Sequence, residues 1–198
     1  MVEPPSILGK RILITGEVNT GKTTLTRNIL ESLCQAGAAA RIVIVDMAPE
    51  IPEEIALKKG VQGVGGKLIP IGLDEIVYLA TRIKPPRLSS KTEEEALIIA
   101  EGNRTSIDDL LRRFQQTGRD ILFLNDLSMY LQMGSAGDLL EWIRPASTVV
   151  ANGYYGRKLG TGVLSIREAA EMALLMRAFS YHVRLPGQSL EEVLSGKS

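Results

Sequence analysis

Lys22 and Thr23 are the side chains whose spacing implies a chemistry most directly. They close the run Gly16-Glu17-Val18-Asn19-Thr20-Gly21-Lys22-Thr23, which fits the phosphate-binding pattern G-x-x-x-x-G-K-S/T. Gly16 and Gly21 let the backbone curl so that successive N–H groups point inward at the positive end of the following helix, a nest for a polyphosphate. Lys22 is expected to reach the β- and γ-phosphates as a point charge. Thr23 supplies one Mg²⁺ ligand, and Thr24 donates to the α-phosphate. A second group of residues stands at the ends of apolar runs: Asp46 closes RIVIVD, Asp126 closes DILFLND, and Asn152 follows TVVA. Acids beside a Lys-Thr phosphate site suit a Mg²⁺-nucleotide, one carboxylate holding the metal and another orienting or deprotonating the attacking group. Asp126 reads as the metal ligand. Asp46 reads as a metal ligand or a catalytic group, its exact role open.

These residues need a scaffold that gathers them. The runs Arg11–Thr15, Arg41–Asp46, Asp120–Asp126 and Thr148–Ala151 are continuously apolar, as strands of a parallel sheet covered on both faces are, and Tyr181–Leu185 supplies a short closing strand. The helix from Lys22 carries Leu25, Ile29, Leu30, Leu33 and Cys34 at helical spacing until Gly37. Leu73–Thr81 reads as helical. Thr92-x-x-Glu95 and Ser106-x-x-Asp109 each open a helix with a capping box, and Ser165-x-x-Glu168 caps the last long one. The alternation predicts one three-layer α/β/α domain over residues 1–198, a doubly wound, mainly parallel sheet of the P-loop NTPase type, with a helical insertion at about 72–118. In such a sheet ligands bind at the carboxyl ends of the strands. Gly60–Lys67 reads as a surface loop or a second anion-binding loop. Pro85–Lys91, with Arg87 and Lys91, reads as a lid, a partner loop or a solvated connection.

Composition narrows the partners. With 198 residues, 44% hydrophobic and 23% charged, the chain has the make-up of a globular domain. Its 23 Lys and Arg balance 23 Asp and Glu, so no global field draws it to nucleic acid. No apolar run reaches the roughly 18–20 residues that span a bilayer, which with the single Cys34 gives the expectation of a cytoplasmic protein with no membrane partner. Cys34, Trp142 and His182 read as structural residues, and Glu93-Glu94-Glu95 as a solvated first helical turn. Tyr154 and Tyr155 either stack on a base or anchor their loop.

The stretch from Ile12 to Pro49 resembles the opening of P-loop proteins of the SIMIBI class, which includes partition and septum-site ATPases, signal-recognition GTPases, metallocentre-maturation NTPases and polynucleotide 5′-hydroxyl kinases. The resemblance implies that Asp46 is a switch-like residue near the γ-phosphate and that Asn152 lies near the base. The departures are specific. Glu17 stands where the partition branch carries its signature Lys, Asn152-Gly153-Tyr154-Tyr155 replaces the Asn-Lys-x-Asp of guanine binders, and Met47-Ala48-Pro49 replaces the Gly-Gln of the polynucleotide kinases. ATP is therefore expected over GTP, with GTP left open.

The expected function is Mg²⁺-dependent binding and hydrolysis of ATP, the nucleotide state ordering Asp46–Gly66 to control a protein partner or homodimer. The alternatives are a small-molecule or polynucleotide kinase, with Arg87, Lys91 or Arg104 closing over the phosphates, and a regulatory module without turnover. An Arg-bearing lid helix aimed at the phosphates favours the kinase.

Overall fold

Alternation along each strand builds the layers. In β1 (Arg11–Gly16), Leu13 joins one core cluster while Ile12 and Ile14 join another. β2 (Ile42–Asp46) and β4 (Ile121–Asn125) divide their residues in the same way, so the sheet buries both faces. With β3 (Val77–Ala80), β5 (Thr148–Tyr154) and β6 (Tyr181–Leu185) the order across the sheet is β3-β2-β4-β5-β1-β6, every pairing parallel. The computed structural model describes residues 6–51, 66–70, 74–158 and 162–196.

One face is covered by α1 (Lys22–Gln35) and α7 (Leu190–Ser195), packed through Ile29, Leu30, Leu33 and Leu190. The other carries α3 (Glu93–Gln116), α4 (Ser128–Leu131), α5 (Ala136–Trp142) and α6 (Val163–Ala178), packed through residues such as Ile107, Phe114, Tyr130, Leu139 and Met172. A four-residue helix, α2 (Pro86–Ser89), starts with Pro at its first position, where a missing N–H costs nothing. The result is a three-layer α/β/α fold with an all-parallel sheet.

Three local expectations are corrected. The helix expected over Leu73–Thr81 is not present in its described part, 74–81: Val77–Ala80 is an edge strand in register with Val43–Asp46, because pairing with an apolar neighbour outweighs a weak helical pattern. The two helices expected around Thr92 and Ser106 are one 24-residue helix. Thr92 caps it, its hydroxyl accepting the Glu95 N–H at 3.1 Å, whereas Ser106 lies inside it and donates to the Gly102 carbonyl at 3.0 Å. The buried series Ala96, Ala100, Asn103, Ile107, Leu110, Leu111 and Phe114 runs on past Gly102, and packing carries the helix across. Ser165-x-x-Glu168 is not a capping box, since α6 already begins at Val163. The expectations for residues 52–65, including most of the Gly60–Lys67 loop, lie outside the described residues. Among the described residues no helix is long and apolar enough to cross a membrane.

Candidate functional site

β1 delivers its loop to the carboxyl edge of the sheet, where Tyr155 N–H bonds the Gly16 carbonyl at 3.1 Å. Gly16 is required by crowding: a Cβ there would lie 2.3 Å from the Leu185 carbonyl oxygen and 2.8 Å from the Thr20 hydroxyl. Asn19 and Gly21 adopt left-handed φ values of 59° and 88°, reversing the peptide planes as a nest needs. Gly21 is the N-cap of α1 and no side chain caps that helix, which leaves its first-turn amides for an anion. Thr20 bonds the Glu17 carbonyl at 2.9 Å, and Lys22 Nζ curls back to the same carbonyl at 2.5 Å. Burial pulls the Lys22 ammonium below its usual range, against the Asp126 and Glu17 carboxylates.

Glu17 does not face the loop interior. Its carboxylate accepts the Arg157 N–H at 2.6 Å and packs closely against Gly156. Burial raises this carboxyl, but the Arg157 amide, the Tyr154 side chain and Lys158 outweigh it and hold it below the ordinary range. The phosphate loop is thus tied to the segment after β5.

A cavity of about 650 Å³ opens beside the loop. Its lining includes Val18, Asn19, Thr20, Gly21, Lys22, Thr23 and Thr24 from the loop, Asp126, Asn152, Tyr154 and Lys158, and also Arg87, Gln132 and Glu168. Asp126 sits in the turn after β4 at a left-handed φ of 57°, bonded by the Ser128 hydroxyl. Burial raises its carboxyl, partly offset by Ser128, Lys22 and Arg87.

Asp46 and Asn152 are both buried and held by hydrogen bonds. Asp46 is 1% exposed and does not line the cavity. Its Oδ1 accepts Ala48 N–H at 3.0 Å and Asn125 Nδ2 at 2.9 Å, and its Oδ2 accepts Leu68 N–H at 2.7 Å and the Tyr78 hydroxyl at 2.9 Å. A carboxylate with four donors is committed to holding structure. Asn152 presents no free amide to a base. It donates to Thr26 Oγ1 at 3.0 Å and Asn125 Oδ1 at 2.9 Å and accepts the Asp126 N–H at 3.0 Å, so it fixes the turn that aims Asp126. Tyr154 turns to the cavity, whereas Tyr155 packs on the core with Arg184 over its ring at 5.9 Å. His182 bonds Thr15 Oγ1 at 2.7 Å beneath the loop.

Among the described residues sequence reasoning overlooked Glu168 and Gln132 as members of this wall. Leu164, Glu168, Met172 and Leu175 share the buried stripe of α6, so helical spacing already placed an acid on a core-facing side. Arg87 Nη2 donates to Glu168 Oε2 at 2.8 Å and Gln132 Nε2 to the same oxygen at 3.0 Å. Burial pushes the Glu168 carboxyl up to about 7, with Asp126 adding to the rise against Arg87 and Gln132.

The chain is similar to flagellar accessory protein FlaH from Methanocaldococcus jannaschii. The two are 13% identical over 89% of this chain and 71% of that one, with a TM-score of 0.47. No family model and no curated protein matches. A likeness of that degree is silent on activity.

Proposed function

We propose that this chain binds a Mg²⁺-nucleoside triphosphate, ATP in preference to GTP, and cleaves its terminal phosphoanhydride. The observation that carries the reading is that the backbone nest, Lys22, Thr23 and Asp126 share one cavity. The donor set fits the metal: a hydroxyl and a carboxylate are hard oxygen donors, which suits a cation that keeps several waters and takes its other ligands from phosphate. When bound, the ion would neutralise charge on the β- and γ-oxygens. Lys22 leaves the Glu17 carbonyl for the phosphates, the loop amides hold the β-phosphate, and Asn152 keeps Asp126 in position. Control of a partner through the segment after Asp46 belongs to the same proposal.

The test is a thermal-shift panel of ATP, GTP, ADP and GDP with and without Mg²⁺. At nucleotide a hundredfold above Kd the stabilisation is about 2.7 kcal/mol. Lys22→Ala is expected to abolish it, and an undiminished shift in that variant would sink the phosphate-loop reading.

A second reading, phosphoryl transfer to a small acceptor, is favoured by Arg87. α2 brings this guanidinium onto the cavity wall with the phosphate loop, as expected of a kinase lid. Product analysis separates the two, since free phosphate formed without an acceptor supports hydrolysis.

A further inference from the structure

Cleaving a phosphoanhydride needs a group that takes the proton of the attacking oxygen. Asp46 is committed to four donors away from the cavity. Among the described residues two acids line the cavity, Asp126 and Glu168, and Asp126 is read as the metal ligand. Glu168 lines the same cavity as the phosphate loop, and there Arg87 and Gln132 meet its carboxylate. Both donors fall on Oε2. The Arg87 charge cancels that of Glu168, so the lining around this pair suits an uncharged ligand.

We propose that the part of the cavity lined by Glu168 is the subsite for an uncharged O–H nucleophile, water or a small neutral alcohol, and that Glu168 is the base that accepts its proton. The proposal rests on the reading of the site as one that cleaves Mg²⁺-ATP. The nucleophile's oxygen bonds to the γ-phosphorus while the bond from that phosphorus to the β–γ bridging oxygen breaks. The bridging oxygen keeps the electron pair and leaves with ADP, and the proton of the nucleophile passes to the Glu168 carboxylate. Arg87 and Gln132 act as positioning residues that hold Oε2. The charged groups that face Glu168 are Arg87 from α2 and Asp126 from the turn after β4, with Lys22 beside Asp126. A carboxyl raised to about 7 in this setting is a base matched to neutral pH.

The experiment follows cleavage of Mg²⁺-[γ-³²P]ATP by the full chain between pH 5.5 and 9, in one arm in water and in another with glycerol. Labelled phosphate identifies water as the nucleophile and labelled glycerol phosphate identifies an alcohol. Wild type is expected to rise with pH to a plateau with a break near 7. Glu168→Gln should fall by about a hundredfold or more and lose the break. Glu168→Asp, which keeps a carboxylate, should fall less and keep it. Both variants should retain the Mg²⁺-ATP thermal shift. A Glu168→Gln variant with the wild-type rate or an intact break overturns the proposal, as does a wild type that shifts with Mg²⁺-ATP but cleaves it in neither arm. A wild type with no shift overturns the nucleotide reading itself.

Discussion

Glu168 stores its chemistry as instability. Its carboxyl stands at about 7 in the fold against 4.5 unfolded, so the folded state holds the proton more tightly. The sign follows: stability is full below about 4.5 and is lost as pH rises through about 7. The shift corresponds to roughly 3 kcal/mol when the group is ionised. Glu168→Gln is therefore expected to unfold at higher denaturant than wild type at pH 8, by up to roughly 3 kcal/mol less whatever Arg87 loses. At pH 5 the advantage should nearly vanish. Urea unfolding at the two pH values checks this, and a gap of equal size at both would remove the titration from the account.

The elements meet at the site through a chain of buried amides. Thr26 on α1 donates to the Lys22 carbonyl at 2.9 Å, Asn152 on β5 joins Thr26 to Asn125 on β4, and Asn125 reaches Asp46 on β2 and the Gly66 carbonyl at 3.0 Å. Four elements and the segment at Gly66 are thus tied together behind the phosphate loop. Asn152→Ala removes the partner of the buried Asn125 Oδ1 and of the part-buried Asp126 N–H. The expected cost is about 2–4 kcal/mol in urea unfolding, since every orphaned group carries its desolvation penalty. A loss near that of an ordinary surface substitution, about 0.5 kcal/mol, would mean that the network relaxes freely.

Across the whole molecule the two ends of the sheet are stabilised differently. The carboxyl end carries the cavity and the amide network. At the amino end Arg41 grips Asp120 with two bonds of 2.9 and 2.7 Å, and Ser147 adds a third at 2.6 Å. The Arg41 bonds and Ser147 hold the Asp120 carboxyl down to about 2. A depressed acid contributes stability above its unfolded value near 3.8 and loses it as pH falls through about 2. The pair is solvent-exposed, so the contribution is under about 1 kcal/mol. Asp120→Asn should lower the melting temperature slightly at pH 6 and not at all at pH 2. A full-sized loss at both would show that hydrogen bonding, not charge, matters there.

The sequence by itself determined the layers and the phosphate loop. Continuous apolar runs can only be strands covered on both faces, and two glycines at fixed spacing before Lys22 set a local backbone shape that needs nothing distant. The strand ends were legible for the same reason. What those ends do was not. Asp46 and Asn152 carry types that suit catalysis, yet their partners Tyr78, Leu68, Thr26 and Asn125 come from elements distant in sequence, and only the sheet order puts them within reach. Glu168 is the converse. Its place on a buried stripe was written in the helical spacing, but its meeting with Arg87, 81 residues away, required α2 and α6 to come together in the fold. Local periodicity fixes which side of an element is buried; which buried polar groups share a cavity is decided by the packing of elements far apart in the chain.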